Sequence, residues 1–159
     1  MRTRSLVQYG SAMLGKIKEE AAMFLTKSIT TLNDVLSFIV YFITAIVLLA
    51  IFAKVYEKMT PFREFDLIRR GDVAAACSFG GALLGFAIPL ASAIAHSLGL
   101  IDMILWGAIA LIVQLLTFQV IKLIFPTIVA DIPNNELSKG IFLGIVSLIA
   151  GILNAACIT

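Results

Sequence analysis

Charged side chains are scarce in this chain: Asp, Glu, Lys and Arg make up 14% of it, against about 25% in a soluble domain. So few charges cannot cover the surface that a water-soluble fold of this size leaves exposed. Histidine is scarcer still, with His96 alone. That excludes histidine-based metal sites and haem held by two histidines of one chain. The two cysteines, Cys77 and Cys157, both sit in apolar runs, where a thiol acting as a small hydrophobe is favoured over a disulfide or ligand pair. No phosphate-binding glycine loop, His-Glu-x-x-His or Gly-x-Ser-x-Gly occurs. The expectation is therefore no catalytic centre, no cofactor and no metal. A net charge of +2 without a clustered basic face gives no case for nucleic acid. The first 32 residues hold polar or charged groups throughout and no compact apolar core before a cleavage site, so no signal peptide is expected.

What the chain does have is oil. Hydrophobic residues make up 60% of it and the mean hydropathy is +1.03, so lipid is the solvent it requires. Uncharged stretches run over 35–53, 73–101, 103–121 and 140–159, apart from Asp102 between the middle two. A helix rises 1.5 Å per residue and needs about 20 apolar residues to cross a hydrocarbon core of about 30 Å. The 73–101 stretch has surplus for a turn near Ser97–Leu98–Gly99. Barrel strands would alternate apolar and polar residues, and these runs do not. The fold expected is an all-α integral membrane protein with four transmembrane helices.

Before the first span, Leu6, Tyr9, Met13, Leu14, Ile17, Ala21, Phe24 and Leu25 recur at three- and four-residue spacing. This predicts an amphipathic N-terminal helix over 1–34, lying in the headgroup plane or packing on a partner. Asn33 or Asp34 is expected to cap the first span. The organisation is then 1–34, a first transmembrane hairpin over 35–101 and a second over 102–159. Lys54, Lys58, Arg63, Arg69 and Arg70 crowd connector 54–72, and Lys122 and Lys139 end connector 122–139. The positive-inside rule puts both connectors in the cytoplasm and both termini on the opposite side.

A shift of 65 positions lays Pro61 on Pro126, Asp66 on Asp131 and Tyr41 on Trp106. Each half has an apolar span, a proline, an acidic connector and a span rich in small residues. Halves with two spans each start on the same side, so the repeats are parallel, and inverted-repeat logic does not apply. Two tandem hairpins would assemble most simply into a four-helix bundle.

The residues Gly71-Asp72-Val73-Ala74-Ala75-Ala76, then Gly80 through Ile94, resemble the YjfL-like bacterial inner-membrane family known as domain of unknown function 350, or UPF0719. The likeness continues through Asp102, Trp106-Gly107, Gln114-Leu115 and 151–157, covering about 35–159. It implies a four-span inner-membrane protein made of two tandem copies of one hairpin, with a link to envelope maintenance and no assigned chemistry. Asp72 stands where the family usually carries Asn, and 1–34 is longer than the family's usual tail.

Gly81-x-x-x-Gly85 and Gly140-x-x-x-Gly144, with Ser147 and Gly151 beyond, place small residues on helix faces. In lipid, close backbone approach and dispersion hold helices together, within one chain or between copies. Pro89 removes a hydrogen bond from the carbonyl of Gly85 and predicts a kink, static or gating. The amides Gln114 and Asn154 belong inside the bundle, bonding helix to helix or, with Thr117, lining a hydrated path. His96 reads as an interfacial anchor rather than a proton relay. The connector acids Glu64, Asp66, Asp72, Asp131 and Glu136 read as a solvated, partner-binding surface.

Two functions follow. One is an oligomeric membrane scaffold or interaction component, offering connectors and tail to a cytoplasmic or membrane protein. The other is a small channel or transporter subunit for ions or small solutes.

Overall fold

The computed structural model describes the backbone of residues 2–158 and the side chains of 13, 16 and 18–158. It contains six α-helices and one 3-10 turn, and no strand among the described residues: α1 Arg2–Met59, α2 Glu64–Arg69, α3 Val73–His96, α4 Leu100–Ile124, α5 Pro126–Asp131, the turn Ile132–Asn134, and α6 Leu137–Ala156. Four helices are long and apolar enough to cross a membrane, within Lys18–Met59, Val73–His96, Leu100–Ile124 and Leu137–Ala156. The chain divides into two compact units, Met1–Phe42 and Ile43–Thr159.

In the first unit the expected cap at Asn33 or Asp34 is absent, because α1 runs through both residues without a break. The physical reason lies one turn earlier. The hydroxyls of Thr26, Ser28 and Thr31 donate to the carbonyls of Ala22, Phe24 and Lys27 at 2.8, 2.9 and 2.9 Å. These groups satisfy themselves on their own helix and do not compete for a helix start. Of the predicted amphipathic stripe, the side chains of Leu6, Tyr9, Leu14 and Ile17 lie outside the described residues, and Met13, Ala21, Phe24 and Leu25 are exposed. Phe38 and Phe42 stack at 5.7 Å, both exposed as lipid-facing rings are.

In the second unit, α1 stops where Thr60 and Pro61 follow it, since proline cannot continue the helix. The helix thus outlasts the uncharged run and carries Lys54, Glu57 and Lys58 on its last turns. A left-handed Gly71 (φ 84°) then lets the chain reverse into α3. Asp72 caps α3, accepting from the Ala75 amide at 2.8 Å. Asn135, itself left-handed at φ 60°, reaches across from the other connector. Its Oδ1 accepts from the amides of Val73 and Ala74 at 3.1 and 3.2 Å. Three orphan amides of α3 are thus satisfied, two of them by the second half of the chain.

α3 ends at His96 and the turn Ser97–Leu98–Gly99 leads into α4, with Asp102 accepting from the Leu98 amide at 3.1 Å. Pro126 opens α5 at a position where a missing amide costs nothing. α3 packs chiefly on α6 and then on α4. Neighbours along α3 and α6 advance together, Ala74 with Gly140, Gly81 with Gly144, Gly85 with Gly151 and Ser92 with Ala155. The two helices therefore run parallel, with their connector ends side by side.

Candidate functional site

Two places in the second unit bring polar or special residues together: the seam between α3 and α6, and a buried polar cluster under the end of α1.

The seam is built from residues without side chains. A Cβ placed on Gly81 would strike the backbone of Gly144, one on Gly140 the backbone of Ala74, and one on Gly151 the carbonyl of Gly85. All the obstacles are main chain, so α3 and α6 touch backbone to backbone as small-residue motifs in lipid require. Gly85 has a further use: a Cβ there would meet both Ser147 and the Gln114 carboxamide. Gln114 on α4 is 2% exposed, and its Nε2 donates to the Ser147 carbonyl at 3.1 Å and the Ala82 carbonyl at 3.4 Å. One amide thereby ties α4 to both members of the seam. Pro89, buried within α3, has no amide to offer the carbonyl of Gly85. That carbonyl lies against Gly151, where a Cα–H can face it.

The other predicted polar residues do not join Gln114. Thr117 donates to its own helix, to the Val113 carbonyl at 2.9 Å. Asn154 lies seven residues beyond Ser147, about 10 Å along α6, half-buried and without a side-chain hydrogen bond among the described residues. His96 is exposed and its Nδ1 donates to the Ser92 carbonyl at 2.9 Å. Cys77 and Cys157 are free thiols, half-buried and exposed.

The second place was not visible in the sequence. Below the seam the end of α1 meets the bundle through rings. Phe52 stacks on Phe86 at 4.6 Å, and Tyr56 lies 5.2 Å from Phe118 and 5.9 Å from Phe79. Phe65 on α2 packs edge-on against Phe79 at 5.1 Å, with the Lys54 ammonium 5.4 Å from its ring. Anchoring Phe65 outside the bundle turns its neighbour inward. Glu64 is 1% exposed, which corrects its reading as part of a solvated acidic surface. Neither carboxyl oxygen has a hydrogen-bond partner, and the buried hydroxyl of Tyr56 has the equally buried Ser78 beside it. Burial pushes the Glu64 carboxyl up to about 7 and Glu57 adds to the rise; the Thr60 hydroxyl and the Glu64 amide, near the carboxyl but short of hydrogen-bond geometry, offset only part of it.

Of the remaining connector acids, Asp66, Asp131 and Asp72 have ordinary partners. Arg63 pairs with Asp66 at 3.5 Å, Lys139 with Asp131, and Asp72 caps α3, while Glu136 is exposed. The only sequence hint of the buried acid was its place between a proline stop and a phenylalanine.

Apolar helices that face outward with large side chains and inward with glycine, one buried amide and aromatic rings define a multi-pass integral membrane protein of the helix-bundle kind. The comparison with known families is more specific. The model of the Domain of Unknown Function (DUF350) matches residues 30–158, and the chain belongs to that family. It is 40% identical over 128 residues to the UPF0719 inner membrane protein YjfL of Escherichia coli (strain K12), covering 80% of this chain and 97% of that one. It is 26% identical over 118 residues to the UPF0719 transmembrane protein YshE of Bacillus subtilis (strain 168), covering 73% and 88%. The chain is thus a multi-pass protein of an inner-membrane family. No solved structure matches it.

Proposed function

We propose that the protein is a non-catalytic, oligomeric scaffold of the inner membrane with a part in envelope maintenance. The carrying observation is the state of Gln114: the one buried amide of the bundle spends its donors on two carbonyls of neighbouring helices. A residue so engaged holds helices and does not solvate a permeant, and Thr117 and Asn154 stand apart from it. The parallel course of α3 and α6 supports a chain of two parallel hairpins. Charge counts then support both connectors on the cytoplasmic side with both termini opposite, where connectors and tail meet protein partners.

A second copy of this chain has a place to sit. An apolar groove lined by Ala76, Gly80, Leu84, Ile141 and Ile145 follows the seam. A Cβ on Gly80 would find nothing within 4 Å, so the groove floor is open to a partner helix of the same kind. Gly80→Leu should fill the groove, with its Cβ meeting no atom of the bundle within 4 Å. Native mass measurement in lipid nanodiscs should find an oligomer for the native chain and a smaller species for the variant, with the fold kept. A native protein that is monomeric at every protein-to-lipid ratio defeats the scaffold. Ion or solute flux through liposomes that is lost in Gly80→Leu favours instead a path between copies.

A further inference from the structure

A carboxyl that is fully enclosed, has no cation beside it and has both oxygens free is an incomplete site. An ionised carboxylate there would forfeit its hydration with nothing in return. The charged and titratable groups on the elements around Glu64 are Lys54, Tyr56, Glu57 and Lys58 on α1, Arg63, Asp66, Arg69 and Arg70 on and beside α2, Asp72 heading α3, and Lys122 near the end of α4. None of these neutralises it. Lys54 pairs with Glu57 and Arg63 with Asp66, Asp72 is spent on its cap, and Lys58, Arg69, Arg70 and Lys122 are exposed.

We propose that Glu64 is a proton-binding site at the connector face, in which its carboxyl is held protonated and that proton keeps α2 docked against α3. The occupant is a proton because the oxygens at hand are too few for a metal ion. Hard cations take six or more, and the site offers two carboxyl oxygens, the Tyr56 phenol and the Ser78 hydroxyl, with the Thr60 hydroxyl already against the Glu57 and Phe62 carbonyls at 3.1 Å. The rings of Phe79 and Phe118 pack on Tyr56, and Phe65 packs on Phe79. The step balances simply. The O–H bond of the carboxyl breaks, the proton goes to water, and the carboxylate left behind is stable only if it too reaches water. The six-residue α2 is the element that can carry it there, held by Phe65 and the Gly71 turn.

The sign follows from linkage. The docked carboxyl titrates near 7 and a hydrated glutamate near 4.5, so the docked state holds more protons between these values. Docking is therefore strongest below about 4.5, weakens as pH rises toward 7, and stays weak above it. Connector 60–72 would thus report the pH of the compartment it faces. The inference does not depend on the scaffold reading, because it concerns one protomer.

Infrared spectra of the full chain in lipid nanodiscs, across pH about 5 to about 9, read the carbonyl stretch of protonated carboxyls. One carboxyl should persist to near-neutral pH and disappear from the spectrum of Glu64→Gln. Amide hydrogen exchange, corrected for its intrinsic pH dependence, should show residues 64–72 losing about tenfold or more in protection as Glu64 ionises. Glu64→Gln mimics the protonated acid and should stay protected throughout. Tyr56→Phe keeps the ring packing and removes only a hydroxyl that makes no hydrogen bond to the carboxyl, so the titration of Glu64 should persist. A Glu64 ionised at neutral pH overturns the proposal, as does protection that is flat with pH or equally pH-dependent in Glu64→Gln. A midpoint that falls when sodium replaces choline assigns the site to a metal ion and overturns the proton. Should Glu64→Gln fail to fold, the native titration and Tyr56→Phe still decide.

Discussion

α3 and α6 meet backbone to backbone, whereas the end of α1 reaches the same bundle through side chains, the rings of Phe52 and Tyr56 and the Leu48 methyl against Gly107. The difference is one of tolerance. At the seam the obstacles are main chain, joined at Gly85 by the Gln114 carboxamide, so one added carbon forces two helices apart. At the aromatic contact the obstacles are side chains that can repack. A membrane protein cannot lean on the hydrophobic effect to press helices together in lipid, and this one uses close approach where α3 and α6 must be fixed. Bulk serves where α1 has only to be held. The looser joint is also the one beside the buried acid, through Tyr56.

The sharpest way to break this contrast is a side chain in the seam. Gly144→Leu and Gly151→Leu should abolish the native fold, whereas the same change at Gly80, where a Cβ meets nothing, should leave it intact. Unfolding measured in bicelles by steric trapping separates the cases. If Gly144→Leu is as stable as Gly80→Leu, the seam is not closed by its backbones. Second in size is Phe86→Ala, which removes a fully buried ring stacked on Phe52. Large-to-small core changes of this type cost about 3–5 kcal/mol. Part of that should be recoverable by repacking, so adding Phe52→Leu should cost less than a second full ring. Strict additivity would show that the aromatic joint is as rigid as the seam.

How far the sequence alone shows these two regions follows from the same contrast. Span count, the Ser97–Gly99 turn and the small residues of α3 and α6 are local patterns of length and spacing, and the structure has them where the sequence places them. Gln114 is legible too, since an amide in an apolar run needs a partner. That Pro89 frees a carbonyl facing Gly151 depends on the register between two helices separated by a whole hairpin, which no local pattern encodes. Glu64 was misread for a related reason: its burial is decided by where Phe65 packs, a tertiary event, while composition around it says only that charges are near. The cap expected at Asn33 or Asp34 failed because a capping residue signals a helix start only where the preceding chain is not helical already.

A smaller effect sharpens the seam from its third side. Gln114→Leu removes the donor that ties α4 to α3 and α6, but leaves both carbonyls with their places in their own helices. Interhelical hydrogen bonds in membranes average about 0.6 kcal/mol and reach about 1.7; the loss should fall near the upper figure, because Gln114 serves two helices. Hydrogen exchange should then speed on α4 and stay slow on the α3–α6 seam. Acceleration on all three helices alike would mean that the amide, and not the glycines, closes the bundle.

The smallest effect belongs to Asp131 and Lys139, the ion pair that joins α5 to the first turn of α6. Both side chains are about one-third exposed, at 31% and 32%, so water and salt screen the pair and its net worth is about 0–1 kcal/mol. Asn135 stands between them in sequence and caps α3 from the same connector, which offers an internal standard. Asn135→Gly keeps the left-handed backbone available and removes the hydrogen bonds to α3, at a cost of about 0.5–1.5 kcal/mol, independent of salt. Asp131→Asn should cost no more than that at low ionic strength and nothing measurable at high. A loss at Asp131→Asn that exceeds the cap and ignores salt would make the pair a buried anchor, and the second connector would then resemble the seam more than the aromatic joint.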